Sequence, residues 1–360
     1  MTLIAQNKAK VALADGLDLM TNLPPPLTEQ GRPTLKTIAA ESGLAVATVS
    51  RALKDASDIG EETKRRVREI AQRLGYRPNR AALRLRTGKT NVIALVFSTE
   101  ADVMNHASSL IYSAAEALRG TAYHVVIMPF FADEDAMAPI RYLVETESAD
   151  GVILNQTMPD DPRVRYLSER NFPFATHGRT ETGINHPYFD YDNHAFAAIT
   201  VQELARRGRK HLLLVAPPGS QSYAAHMTAG FFQGCKDHGL RAEVLTTAHS
   251  DSGATRIHAA VAERMAAANR PDGMVVGSTT AAMSAVTGAE SLGLVIGRDF
   301  DLAAKEALNF LFRFRREIIV LHEDVGKAGD FLARALMAAI EDSTLPPRQF
   351  LDRPTIADLV

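Results

Sequence analysis

The chain has 360 residues, 46% apolar and 23% charged, an ordinary globular composition with enough length for two domains whose cores need neither metal nor disulfide. Its one cysteine, Cys235, excludes an internal disulfide framework and any multi-cysteine zinc or iron–sulfur site, which fits a reducing cytosol, and no apolar run reaches the length of a bilayer span. The net charge of −2 names no partner, but it is unevenly distributed: residues 32–89 hold 14 Lys+Arg against 6 Asp+Glu, a net of +8, and residues 90–360 carry −9.

A basic N-terminal unit on an acidic body is the charge footprint of a nucleic-acid-binding module, although one solvated basic helical face would look the same by charge alone. Residues 1–31 contain a weak helical stretch near Lys8–Met20 and the breaker run Leu23-Pro24-Pro25-Pro26. They read as a flexible extension rather than a secretory signal, because the apolar segment after Lys8 and Lys10 is short and interrupted by Asp15.

Residues 32–90 have helical periodicity. Thr34 or Thr37 can cap a stretch through Leu35, Ile38 and Ala39, and Gly43 marks a turn. A second helix is expected over Val46–Leu53 and a third over Glu61–Leu74, ending at Gly75. In the third, Val67, Ile70, Ala71 and Leu74 face inward, with Lys64, Arg65, Arg66, Arg68 and Arg73 mostly outward. Pro78 breaks the chain before a short helix over Asn79–Leu85.

From Asn91 the period changes to strand-like runs alternating with helical segments: VIALVF (92–97), HVVIMPF (124–130), GVILN (151–155) and FPFAT (172–176). It resumes with HLLLVA (211–216), AEVLTT (242–247), GMVVG (273–277) and DLAA (301–304). This alternation predicts parallel sheets flanked by helices. Two series, parted by the polar region 179–193, imply two lobes enclosing a cleft at the carboxyl ends of their strands.

The segment TLKTIAAESGLAVATVSRAL (34–53) has the spacing of a helix-turn-helix. Val46, Ala47, Ser50 and Arg51 lie on the exposed face near the second helix's N-terminus, the face that enters the major groove in this motif. Together with GEETKRRVREIAQRLGYRPNRAALRLRTGKTNVIALV, it resembles the head of the LacI/GalR (lactose-repressor/galactose-repressor) transcription regulators, and the resemblance runs from about residue 32 onward. It implies an all-α helix-turn-helix head on an α/β, two-lobed, periplasmic-binding-protein-like body. The corresponding divisions are an extension (1–31), the head (32–78), a hinge helix and linker (79–90) and an effector-binding and dimerisation domain (91–360).

By that resemblance Val46, Ala47 and Arg51 match base-reading positions, Leu35 a residue that fixes the module, and Thr34, Thr48 and Ser50 hydroxyls that contact the DNA backbone. Asn79–Leu85 matches the family's hinge helix. There Leu85, with Ala82 beside it, matches the leucine that wedges into the minor groove; the alternative for Leu85 is core packing against the first strand. Gly88-Lys89-Thr90 is no phosphate-binding loop: the first glycine of that motif would fall at Leu83, and the segment precedes a strand.

In the body, the expected effector contacts sit just after strands. Asn105 and Ser109 match a loop-to-helix segment that often touches effector, and His177 and Arg179 follow FPFAT. Tyr188, Phe189 or Tyr191, within a stretch resembling the family's D-x-D/N segment, could stack on a sugar. Alternatively, Arg179 pairs with a local carboxylate and the aromatics are core. Three positions depart from the family pattern: Met227 stands where an arginine grips effector, Ser278-Thr279 replaces an Asn-Asp pair, and Leu308 falls near the usual aspartate. Lys305 and Glu306 are expected to take over in the cleft, a surface salt bridge being the alternative.

The resemblance implies a dimeric, effector-responsive regulator, most often a repressor. Its partners would be a pseudo-palindromic double-stranded operator, a small-molecule effector of carbohydrate type and a second copy of the chain, in the cytoplasm, with no membrane partner. No cofactor, metal or catalytic residue is expected, since no H-E-x-x-H, G-x-S-x-G or Cys–His arrangement occurs. The rival reading is a sugar-binding protein or carbohydrate-acting enzyme on the same body; a carrier of that kind would need a signal peptide and no helix-turn-helix. A nucleoid-type architectural binder would have no use for the two-lobed body.

Overall fold

A computed structural model describes residues 33–77, 84, 88–99, 101–131, 133–307 and 309–360, with the side chains of 101–106 outside that description. The chain divides into two compact units after residue 87. The expectations for Asn79, Ala82, Leu85 and Leu308 lie outside the described residues.

Residues 33–77 of the smaller unit, the head, form three helices: α1 (Leu35–Ser42), α2 (Val46–Leu53) and α3 (Glu61–Arg73). Thr34 starts α1 with a reciprocal cap: its hydroxyl accepts from the Thr37 amide at 3.3 Å, and its own amide donates to the Thr37 hydroxyl at 3.1 Å. Gly43 ends the helix with φ +70°, the left-handed conformation that glycine adopts without steric cost, and so turns the chain into α2. Ile38, Val49, Ala52 and Val67 are fully buried and join the three helices. Lys64 corrects the outer-face expectation. It is buried, with Nζ 2.7 Å from Glu61 and 3.3 Å from Asp55, because a long apolar stem can lie in a core while its charged end pairs at the rim.

Among its described residues the body holds two sheets, whose strands all pair in parallel. The first contains β1 (Val92–Ser98), β2 (His124–Phe130), β3 (Gly151–Leu154), β4 (Phe174–His177), β5 (Tyr188–Tyr191) and β11 (Gln349–Asp352), in the order β11-β5-β4-β3-β1-β2. The second contains β6 (His211–Val215), β7 (Arg241–Val244), β8 (Gly273–Val276), β9 (Asp301–Glu306) and β10 (Ile319–His322), in the order β10-β9-β8-β6-β7. Central strands such as β3, β8 and β9 are buried along their whole length, as strands covered by helices on both faces must be. In the first lobe the intervening helices are α4 (Ala101–Ala117), α5 (Ala138–Glu145) and α6 (Pro162–Glu169). In the second they are α7 (Asn193–Arg206), α8 (Ser222–Asp237), α9 (Ala254–Ala266), α10 (Thr279–Glu290) and the short α11 (Leu311–Phe314).

The two series do not simply follow one another. After β10 the chain returns to the first lobe, where α12 (Val325–Glu341) packs on α4 and on β3–β5, and β11 pairs with β5. Residues 359–360 then reach the second lobe again, through a bridge between Leu359 and Leu321. The return is driven by the apolar face of α12: Val325, Ala328, Leu332 and Leu336 join Ile93, Leu95 and Phe97 in one core. The lobes are therefore linked by three crossings, and the loops at the carboxyl ends of their strands face a common space.

Candidate functional site

Of the residues expected to meet DNA, seven lie in the described head, at α1 and α2. Val46 and Ala47 occupy the first turn of α2, exposed; Thr48 and Ser50 are half-buried; Thr34 caps α1, with Leu35 half-buried beside it. Arg51 is exposed and pairs with Asp58. Arg68 also pairs with Asp55 at 2.8 Å, and Lys64 and Arg68 together hold the Asp55 carboxyl below its ordinary range.

In the body, the facing loops surround a cavity of about 90 Å3 that is open to solvent at its mouth. Its first-lobe wall is Asn155 and Gln156 after β3, His177 and Gly178 at the end of β4, and Asp190 and Asn193 around the end of β5. Its other wall includes Tyr223, Asp251, Ser278, Lys305 and Glu323. Lys305 is the central charge. Buried at the end of β9, its Nζ lies 2.7 Å from the Glu323 carboxylate, donates to Asn193 Oδ1 at 3.2 Å, and sits 5.5 Å from the ring centres of Tyr191 and Tyr223. His177 Nε2 lies 3.6 Å from the same carboxylate. Such a linked set orients each group before any ligand arrives.

Behind the first-lobe wall, Arg179 Nε donates to Asp190 Oδ2 at 2.6 Å. Burial pushes the Asp190 carboxyl upward, against the opposing pull of Arg179. Gly178 is required: at φ +112° its missing side chain would lie 2.4 Å from Thr157 Oγ1, which itself donates to the Arg179 carbonyl at 3.0 Å. The Asn155 Oδ1 is buried without a hydrogen-bond partner, an acceptor left open in the cavity wall.

The expected effector residues thus divide. His177, Ser278 and Lys305 line the cavity together; Ser278 also caps α10 by accepting from the Ala281 amide at 3.2 Å. Arg179 stands behind the wall on Asp190, the pairing left open from the sequence. Tyr191 is core, with Phe189, and burial pushes its hydroxyl pKa up.

Three further positions do not reach this space. Glu306 points away because neighbouring strand residues face opposite sides; its Oε1 instead accepts from the Phe310 and Leu311 amides at 2.6 Å each. The Lys305 partner is therefore Glu323, in the interior, and not Glu306 at a surface. Met227 is fully buried in the second-lobe core with Phe231 and Val275. Ser109 lines a separate recess with Tyr112, Asn309 and Asp324. Asn105 lies in α4, its side chain outside the description.

Asn155, Gln156, Tyr223, Asp251 and Glu323 escaped the sequence reading. All but Tyr223 fall in loops that follow parallel strands, so the strand-end position was the available signal.

Comparison with known proteins decides the family. Residues 91–306 match the family described as "Periplasmic binding proteins and sugar binding domain of LacI family", and residues 34–79 match "Bacterial regulatory proteins, lacI family". The chain belongs to the LacI family. Among its relatives, the HTH-type transcriptional regulator RafR of Escherichia coli is 37% identical over 214 residues, which is 59% of this chain and 63% of RafR. The HTH-type transcriptional regulator AglR of Rhizobium meliloti (strain 1021) is 29% identical over 325 residues, 89% of this chain and 91% of AglR. The match therefore spans just under two thirds of RafR and most of AglR.

Solved LacI-family structures share the fold. The lac repressor dimer bound to operator and the anti-inducer ONPF superposes with a TM-score of 0.79 at 18% identity, over 89% of this chain and 97% of that one. The transcriptional regulator CelR–cellobiose complex gives 0.67 at 21%, over 91% and 98%. Among the described residues no helix is long and apolar enough to cross a membrane, and no cluster of three His, Cys, Asp or Glu side chains is arranged to hold a metal.

Proposed function

We propose that this LacI-family member is a sugar-responsive transcriptional repressor. Its homodimer binds a pseudo-palindromic operator through two heads, and a neutral carbohydrate between the lobes changes operator affinity. The observation that carries the reading is the pre-oriented polar cavity at the carboxyl ends of two parallel sheets, on the same chain as a basic helix-turn-helix head. Asn155, His177, Ser278 and Lys305 act as hydrogen-bonding contacts and Tyr223 as a stacking face; Val46, Ala47 and Arg51 read bases. Coupling between effector and DNA sites of this kind is typically about 5- to 150-fold in affinity.

Two further supports concern assembly and place of action. The edge strand β2 exposes Val126 and Ile127, and Tyr112 and Phe131 nearby are also exposed, which favours a dimer face on the first lobe. A buried free cysteine and a DNA target fit the cytoplasm. The body performs no turnover in this reading.

The test is a thermal-shift panel of neutral mono- and disaccharides, cellobiose included, on the full chain, followed by operator selection from random duplexes with and without any sugar that binds. A sugar at 100 times its Kd stabilises the folded state by about 2.7 kcal/mol. Sugar binding that leaves affinity for the selected operator unchanged contradicts the regulatory reading, and turnover of the sugar favours the enzyme.

A further inference from the structure

The cavity wall formed by Asn155 and Gln156 is held in an unfavourable shape. Gln156 has φ +50°, a left-handed conformation that costs a residue with a side chain free energy and persists only where its surroundings enforce it. The enforcing group is a buried ion pair that touches no cavity space. Asp161, fully buried, caps α6: its carboxylate accepts from the Arg163 amide at 2.9 Å, from the Met158 amide at 3.1 Å, and from the Arg163 guanidinium at 3.0 and 2.7 Å. The same guanidinium reaches back along the loop, and its Nη2 donates to the carbonyls of Asn155 and Gln156 at 3.1 and 2.9 Å. Burial pushes the Asp161 carboxyl up, but the guanidinium and the two amides outweigh it and hold it below its ordinary range.

The loop continues across the cleft. The next residue, Thr157, accepts at its carbonyl from the Ser222 amide, at the start of α8 in the other lobe, at 2.8 Å. One planar donor therefore fixes both the lining residues and the loop that meets the opposite lobe.

We infer that Arg163, locked by Asp161, is a positioning residue for effector binding and lobe closure: it holds residues 155–157 in the shape that faces the effector and docks on α8. The inference rests on reading the cavity as the effector site. A lysine at 163 keeps the charge pair, but its single nitrogen cannot both grip the two Asp161 oxygens, as Nε and Nη2 do together, and still reach the two carbonyls that Nη2 holds.

The test is Arg163→Lys in the full-length chain, read by amide hydrogen exchange without ligand and by the affinity of whichever panel sugar binds the wild type. Exchange at the α8 N-terminus, residues 220–224, is expected to speed up about five- to tenfold, the worth of roughly one hydrogen bond, while the second-lobe core stays unchanged. Sugar affinity is expected to fall by a similar factor. A role confined to first-lobe stability would leave α8 unmoved.

If Arg163→Lys folds poorly, the double variant Asp161→Asn/Arg163→Gln, which removes both charges and keeps hydrogen-bonding capacity, gives the same readout. Unchanged exchange at residues 220–224 overturns the inference, whether or not a sugar binds; so does unchanged sugar affinity. A wild-type chain that binds no sugar in the panel contradicts the carbohydrate reading instead, and the exchange result still decides the role of Arg163.

Discussion

In the proposed function the head and the cavity would rely on opposite physics. The head is small, basic and exposed: Val46 and Ala47 lie on a surface, and Arg51 pairs with an exposed carboxylate, that of Asp58. The cavity is acidic and recessed: Lys305 is buried against Glu323, and three carboxylates, Asp190, Asp251 and Glu323, line its wall. Long-range charge dominates the first, and short-range geometry in a low-dielectric interior dominates the second.

Salt should separate the two most widely. Raising it from 50 to 200 mM is expected to weaken binding of the full chain to a random-sequence duplex by about 10³-fold if the head makes roughly six phosphate contacts. Sugar binding, measured by calorimetry in the same buffers, should stay within about twofold. A parallel loss in both would break the contrast.

Charge removal inside the cavity comes next. Lys305→Met leaves Glu323 buried without its cation and is expected to cost about 3–5 kcal/mol, since an uncompensated interior charge is expensive. Differential scanning calorimetry should show a fall of about 10 °C for a unit of this size. Lys305→Met/Glu323→Gln should recover most of that stability without recovering sugar binding. An equally large loss from Arg51→Met, on the exposed head, would erase the distinction.

Exchanging Val46 and Ala47 should change the preferred duplex sequence. Each affected base pair is expected to shift by about 1–3 kcal/mol, with random-duplex affinity nearly constant, as selection from a duplex library would read.

The smallest expected effect is the acid response of the body. Arg206, assisted by Arg207 and opposed by burial, holds the Glu203 carboxyl down at about 2, from an ordinary 4.5. A depressed carboxylate contributes stability above its unfolded pKa and loses it as pH falls through the folded value. Because the exposed Arg206 is screened by solvent, about 2 kcal/mol rather than the full linkage value should be lost between pH 4.5 and 2, and Glu203→Gln should flatten that part of the unfolding curve.

The same contrast explains what the sequence disclosed. The head's recognition segment occupies twenty consecutive residues, and its signals act locally: a hydroxyl cap at Thr34, a left-handed turn at Gly43, apolar residues one helical turn apart. Strand–helix alternation was legible for the same reason. The cavity is assembled from loops far apart in sequence, and neighbours there part company. Lys305 and Glu306 looked like one pair, yet the pleat sends them to opposite faces of β9. Met227 looked like a weakened ligand grip, yet an apolar side chain there joins the core. Lys64 read as a solvated charge because no periodicity reveals a cation held beneath its partners.

The return of α12 and β11 to the first lobe has a consequence for the order in which the protein is made. Strands β1–β5 emerge together, but their sheet lacks an edge and their core lacks a covering helix until residues 325–352 arrive. At 5–20 residues per second that delay is roughly 10–30 s. The five-stranded sheet of the second lobe, formed in one continuous run from β6 to β10, awaits only the Leu359 bridge while the first lobe still exposes the apolar faces that α12 will cover. The first sheet to be started is thus the last to gain all its strands, and the nascent chain is most vulnerable to misassociation in that interval.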